Sequence, residues 1–541
     1  MIQEYLRSLL PEILLVAGAS VVLLSGPSRS ARARKAASWT ALLTIAAALV
    51  CAWQSGFIRP AHDTAPFGVR LGPLALYVRL VALSVGLLVV LVNLHLPNAH
   101  DRREHLSMIL FALAGVLLTA VADDLITLFL ALELASVPTY ALVAAGRDDL
   151  RAPEAGLKYF FLGALAAAFL LYGFSFLYGA GGTLRLSVLV GAMQVGRPWA
   201  LVGLVLVLAG LGFKIAAVPL HAYAPDVYQG AASPVTGLLG FFPKVAGFVA
   251  LIRLLAMVPV AFVDQAREVV WIPPDVIFWI LWAMAAATMT LGNCVALMQT
   301  NVKRILAYSS IAHSGTMLVG VLVGPAPGAG PMRDGWSAVL FYLVTYGVAN
   351  LGAFGILAYL HVRSKPAEEL EDLAGLARTN PASAAALAVC LFSLMGMPPA
   401  AGFFGKLCIF SGALSVGNAV PHRLAMIVLA VIGVLNSAVA AAYYLRVIAA
   451  CYLREPQENP TPVPSRALRL GITVCATFSV LVGLWPRDLL WLAGRATAEI
   501  QPPAGYPPVR PLPDAEHAAD SGRAVSVGGS GSGGAPAVQI A

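Results

Sequence analysis

Apolar residues in this chain come in runs too long for the core of a water-soluble domain. A helix that crosses a bilayer needs about 20 mostly apolar residues. By that rule the 541 residues hold about fourteen spans. They run near 11–24, 38–53, 74–95, 107–121, 124–145, 157–180, 200–229, 232–258, 275–298, 301–323, 336–361, 383–416, 423–453 and 467–490. Composition agrees: 59% of residues are hydrophobic and 11% charged, where a soluble domain carries about a quarter charged residues. The fold class is an all-α polytopic membrane protein of about fourteen transmembrane helices. An even count puts both termini on one side.

The net charge of +8 does not mark a nucleic-acid partner, because the basic residues lie in short loops. The cluster Arg29, Arg32, Arg34 and Lys35 follows the first apolar run. A signal peptide carries its positive charge before the run, so residues 11–24 read as a first span. One set of alternate loops, with Arg102, Arg103, Arg147, Arg151, Lys303, Arg304, Arg363, Lys365 and Arg378, is richer in basic residues than the other, with Arg59, Arg70, Arg185, Arg197 and Arg267. The richer side should be cytoplasmic, which makes both termini periplasmic or otherwise external.

Cys51, Cys294, Cys390, Cys408, Cys451 and Cys475 form no C-x-x-C pair. Iron–sulfur clusters and c-type haem need clustered ligands, and neither these nor a phosphate-binding Walker loop or metal cluster is found. No cofactor is expected in this chain.

Four ionisable side chains interrupt the apolar runs: Glu133, Lys214, Lys244 and Lys406. A charge at bilayer depth costs a few kcal/mol or more and usually marks an ion or proton pathway. One carboxylate and three amines on different spans suggest a proton relay; the alternative is a set of buried pairs that lock helices together. Two of the spans are broken. Pro219 interrupts 200–229 five residues after Lys214, and Pro398 and Pro399 interrupt 383–416 before Lys406. Proline removes an amide donor and clashes with the preceding turn, and paired discontinuous helices mark the transport site of inverted-repeat transporters. His221, His313, Tyr308 with Ser309 and Ser310, and Lys158 are supporting candidates. A histidine can hand protons either way near neutral pH, but one in a helix bundle is as readily a satisfied hydrogen-bonding group. Lys158 near a helix end could equally snorkel to the interface.

Three strings carry a resemblance: Lys158 to Ala164, Gly212 to Lys214 continuing through Pro225 to Gly230, and Asn301 to His313. Across about residues 70–450 the chain resembles the antiporter-like membrane subunits of respiratory complex I. Lysine at 406 and a short tail bring it nearer the subunit N type than the M or L types. The resemblance implies an inverted-repeat antiporter-like fold with N-terminal peripheral helices (1–106). A first half (107–260) and a second half (261–455), each with one broken helix, precede a C-terminal span (456–500) and a flexible Pro/Gly/Ser-rich tail (501–541). It pairs Glu133 with Lys214 and leads from Lys244 to Lys406. It implies proton translocation in the bacterial inner membrane within an NADH:quinone oxidoreductase. Flavin, iron–sulfur clusters and quinone would belong to partner subunits, and other membrane-arm subunits would be the neighbours. His313-Ser314-Gly315-Thr316 departs from the pattern, which often has tyrosine where Thr316 stands. A sodium/proton antiporter subunit, a membrane-bound hydrogenase subunit and a passive structural subunit are the competing readings.

Overall fold

The computed structural model describes residues 9–25, 31–55, 68–94, 102–146, 150–192, 198–256, 260–263, 269–326, 330–362, 365–417, 420–456 and 460–498. The tail 501–541 lies outside them, as do Arg29, Arg59, Arg147, Arg197, Arg267 and Arg363 of the loop-charge pattern.

The fourteen apolar runs fold as fourteen membrane helices. They are α1 (Leu10–Leu24), α2 (Ala31–Ser55), α3 (Pro73–Asn93), α4 (Arg102–Val121), α5 (Leu125–Ala144) and α6 (Arg151–Gly181). Next come α7 (Pro198–Lys214, resuming at Ala224–Gly230) and α8 (Ser233–Leu239 with Phe242–Leu255). The rest are α9 (Asp275–Leu297), α10 (Val302–Val323), α11 (Gly335–Tyr359), α12 (Pro381–Met395, resuming at Ala401–Leu414), α13 (Arg423–Leu453) and α14 (Arg466–Leu484). Eleven are long and apolar enough to cross a membrane unaided; α1 is short, and α7 and α12 come in pieces.

The run 467–490 is two elements rather than one span. Trp485 and Pro486 stop α14, and a separate helix α15 (Arg487–Thr497) comes next. The loops also hold small strands. β1 (Val260–Val263) pairs antiparallel with β2 (Val269–Ile272). A second sheet runs β4 (Lys365–Pro366), β3 (Leu360–Val362), β5 (Thr461–Pro462). Strands of two to four residues carry too little alternation to be read from sequence.

Burial sorts the helices into two classes. α8 and α11 are buried along their whole apolar windows, and α10 nearly so. α2, α6, α9, α13 and α14 bury about a third of theirs and turn leucine and valine outward, as α13 does with Leu424, Val431 and Leu435. A helix apolar all round is either a core helix or a lipid-facing one, and here both kinds occur. Close packing between neighbours depends on small residues, as expected where no hydrophobic effect drives helices together. A Cβ on Gly115 of α4 would come 2.2 Å from the Ala135 nitrogen of α5.

Side-chain caps set where the inner helices begin. The Asp124 carboxylate accepts from the Thr127 amide (2.7 Å) and starts α5. Asn301 starts α10 through the Arg304 amide, and Asp334 starts α11 through that of Ser337. Each cap fixes the depth of the residues along its helix: Glu133 lies eight residues beyond Leu125, about 12 Å along the helix.

Candidate functional site

The first half of α7 ends on Lys214, and the chain then leaves the helix. Ala216 takes φ 55°, a left-handed conformation that disfavours a residue with a Cβ by roughly 1–2 kcal/mol, and the Val218–Pro219 peptide is cis. Backbone freed at bilayer depth must find partners inside the protein. The Ala217 amide donates to Gly212, and the Val218 amide to Thr288 Oγ1 of α9 (2.9 Å). Lys214 Nζ donates to Glu133 Oε1 at 2.9 Å and to Ser136 Oγ at 2.7 Å, both on α5. The lysine is 2% exposed and the glutamate 22%. The amine also sits at the negative end of a half-helix, where the dipole favours a cation. The pair expected from the sequence is therefore formed.

Lys244 lies one helix further in. Gly247, three residues on, lets α8 approach the break closely: an added Cβ would come 2.6 Å from Ile215 Cγ2. Lys244 Nζ donates to Ser314 Oγ (2.8 Å) and to the Ser310 carbonyl of α10. Ser314 in turn donates to the Ile215 carbonyl at the break (2.5 Å), so this serine joins the Lys244 amine to the turn after Lys214. The Tyr346 ring of α11 lies 4.8 Å from Lys244 Nζ, a cation–π distance, and its hydroxyl donates to Ser310 Oγ (2.8 Å).

His313 is one turn along α10, with its ring 4.9 Å from that of Tyr346. Its Nδ1 meets the Tyr342 hydroxyl (2.7 Å) and its Nε2 the Tyr444 hydroxyl of α13 (3.0 Å). Two tyrosine hydroxyls thus reach His313 from neighbouring helices, while Thr316 on its own helix bonds to the Ala312 carbonyl. Tyr444 also bonds to Ser309. Beside it, Tyr443 donates to Asn293 (3.0 Å), and Asn293 donates to Asn436 (3.1 Å), carrying a polar ladder outward between α9 and α13.

The second break repeats the same plan with one part missing. Gly396 at φ 83° closes the first half of α12 in the left-handed conformation typical of a helix C-terminus. Lys406 Nζ reaches back to the Met395 carbonyl (2.8 Å). Among the described residues no carboxylate pairs with it. Tyr342, which bonds to His313, packs on Gly405, the residue before Lys406. No hydrogen bond among the described residues spans that last step, so a proton crossing it needs water.

The supporting candidates divide. His313 joins the group. Tyr308 does not: it is half-buried and makes no hydrogen bond among the described residues, while its neighbours Ser309 and Ser310 face the cluster. Lys158 is 45% exposed and pairs with Glu154 (2.8 Å) and Asp226 (3.0 Å), away from the inner amines. His221 sits in the turn after Pro219 with Nδ1 buried and unbonded. Lys303, counted in the sequence as a loop cation, is fully buried and donates to the carbonyls of Gln229 and Ala231. One buried pair was missed. Arg79 of α3 donates to Glu12 of α1 at 2.7 and 2.9 Å, both nearly solvent-free. Arg79 lies inside the run 74–95 and meets the same test that selected the lysines. No cluster of metal-binding side chains occurs among the described residues.

A family model described as NADH:quinone oxidoreductase/Mrp antiporter, TM, matches residues 122–435. That stretch holds Glu133, Lys214, Lys244 and Lys406. NADH-quinone oxidoreductase subunit N of Trichlorobacter lovleyi is 38% identical over 501 residues, covering 91% of this chain and 96% of that protein. Its counterpart in Granulibacter bethesdensis is 37% identical over 90% of this chain and 97% of its own length. Among solved structures, a chain of respiratory complex I from Thermus thermophilus with bound aureothin has TM-score 0.72 and 32% identity, covering 90% of this chain and 99% of that one. A chain of the Mrp complex from Dietzia has TM-score 0.77 at 22% identity, covering 93% of this chain and 98% of that one. The second likeness, at 22% identity, is one of fold, whereas the subunit N relatives keep 37–38% identity over about nine-tenths of the chain. The chain therefore belongs to the subunit N family of NADH-quinone oxidoreductases.

Proposed function

We propose that this chain is a proton-translocating membrane-arm subunit of an NADH:quinone oxidoreductase, with Glu133, Lys214, Lys244 and Lys406 as its relay. The observation that carries the proposal is the Glu133–Lys214 pair beneath the α7 break. A lysine held by one carboxylate and one hydroxyl keeps its proton while both are near. Drawing the carboxylate away frees the amine to release that proton toward Lys244. Moving one charge against 100 mV takes roughly 2.3 kcal/mol, so the trigger must change the pair's balance by a comparable amount. Ser314, Tyr346, His313 and Tyr342 line the route from Lys244 toward Lys406, with water completing it. The residues 107–260 and 261–455 act as its two halves, each supplying one break.

Both breaks carry exposed residues: Pro219 and Ala222 at one, Met397, Pro398 and Pro399 at the other. Irregular backbone at bilayer depth is not tolerated against lipid. Other membrane subunits of the complex would cover these two sites, as the family requires of a subunit. In this reading the chain spans the bacterial inner membrane with both termini periplasmic, and flavin, iron–sulfur clusters and quinone are held by partner subunits.

The test is Lys214→Ala in the assembled complex, with proton uptake into inverted vesicles measured against NADH oxidation. Reduced uptake with normal subunit content is expected. Unchanged uptake with normal assembly would refute the relay and favour a structural pair. A sodium/proton antiporter subunit is the second reading, since the matching family model is described for both kinds of complex; the co-purifying subunits decide it.

A further inference from the structure

α15 is built unlike the helices before it. Only two residues separate it from α14, so it starts at the bilayer edge rather than in a distant loop. Leu490, Ala493, Ala496 and Thr497 are buried against α3 and α11. The Thr497 hydroxyl donates to Asp334 at 2.7 Å, which fixes the helix's rotation. The outer face carries Arg487, Trp491 and Arg495, four residues apart, with Asp488 and Leu492 beside them. The Arg495 guanidinium stacks on the Trp491 ring at 4.8 Å.

The level of this helix is set by the topology. With fourteen spans, odd-numbered helices begin and even-numbered helices end on one face of the membrane. Four exposed tryptophans lie at such ends: Trp53 near the end of α2, Trp199 at the start of α7, Trp279 in the first turns of α9, and Trp485 directly after α14. Exposed tryptophan at span ends marks the headgroup level of a bilayer. Trp491, 57% exposed, lies six residues beyond the last of these. A cationic and aromatic outer face at that level meets the headgroup region of the bilayer.

We propose that the Arg487–Trp491–Arg495 face of α15 is a binding site for the headgroup of an anionic phospholipid. The two guanidiniums take the phosphate oxygens, and Trp491 and Leu492 enter the acyl boundary. Arginine rather than lysine suits the role, since its planar fork matches phosphate geometry. Each arginine near an anionic surface is worth roughly a fivefold gain in lipid affinity. The site is independent of the proton relay, so a pumping defect elsewhere neither supports nor weakens it.

The test places a photo-crosslinking phenylalanine analogue at Leu492 in the purified whole complex. The complex is reconstituted in vesicles of phosphatidylcholine with one-fifth phosphatidylglycerol. After irradiation, the peptide containing residue 492 is analysed by mass spectrometry. The expected result is a phospholipid adduct enriched in phosphatidylglycerol over the bulk ratio, with the enrichment lost in Arg487→Gln/Arg495→Gln. An adduct to another polypeptide, an unmodified peptide, or lipid adducts at the bulk ratio would each overturn the proposal.

Discussion

At the α7 break and at the α12 break the chain solves one problem in two ways. Both first halves end in a turn at bilayer depth; Lys214 is the last residue of one and turns its amine to α5, while Lys406 lies on the second half of the other and reaches back to the end of the first. Lys214 adds a carboxylate and a hydroxyl from α5, at 2.9 and 2.7 Å. Lys406 has the Met395 carbonyl at 2.8 Å and no carboxylate among the described residues. The first site is a charge pair whose separation has a cost; the second is an amine held by one backbone carbonyl. The difference suggests an order of events. In the proposed relay the paired site would receive the trigger and the unpaired site would hand the proton on.

The largest effects should come from breaking this asymmetry. Removing one partner of a buried pair strands the other, at about 3–5 kcal/mol; the partial exposure of Glu133 favours the low end. Lys214→Ala should therefore lower pumping and, with subunit content normal before heating, release the chain from the complex at a lower temperature. Lys406→Met should lower pumping with retention unchanged, as read on native gels at rising temperature. Equal loss of retention in both variants would end the comparison. The double change Glu133→Gln/Lys214→Met should restore retention without restoring pumping; recovery of both would make the pair a helix lock.

A smaller effect separates the two hydroxyls on His313. Tyr342→Phe removes one hydrogen bond, worth about 1 kcal/mol, and Tyr444→Phe removes two, to His313 and Ser309. Tyr342 packs beside Lys406, so its loss should slow proton uptake severalfold, and that of Tyr444 less. The reverse order would redirect the path along the Tyr443–Asn293–Asn436 ladder toward the outer face of α9 and α13.

Ser314→Ala should act least. It takes one of two oxygens from Lys244 and leaves the Ser310 carbonyl, at a cost of about 1 kcal/mol. Uptake slowed by no more than about fivefold, with assembly intact, is the expected result. Complete loss would make Ser314 a relay member instead of a support for the amine.

The charges of this site were legible in the sequence because charge is conspicuous in apolar runs, and the breaks because proline cannot continue a helix. The groups that join the charges were not. Tyr342, Tyr346 and Tyr444 read as core residues until neighbouring helices bring their hydroxyls to His313 and Ser310. Tyr308 and Ser309 are adjacent in sequence but face different ways, since successive helical side chains point about 100° apart. Lys303 looked like a loop cation because its partners, the carbonyls of Gln229 and Ala231, belong to another segment. Arg79 is different: its position in an apolar run already revealed it, but its partner Glu12 lies near the start of a short run that resembles an end. The strands and α15 fell below the resolution of periodicity.

The helix that carries Ser309, Ser310, His313 and Ser314 bears a cost during synthesis. α10 has the lowest mean hydropathy of the eleven long spans, 1.4 against 2.5 for α3. A segment entering the bilayer on its own apolarity would favour α3 and hesitate over α10. Its serines and histidine find partners only after α8, α11 and α13 are in place, and the last two are made later. Meanwhile α9 is the neighbour at hand, and the fit is close: a Cβ on Gly315 would come 2.6 Å from the Met289 nitrogen, and one on Gly292 2.8 Å from that of Ala312. The two helices should enter the membrane as a hairpin. The polar core would thus depend for its assembly on two glycines that carry no polar side chain at all.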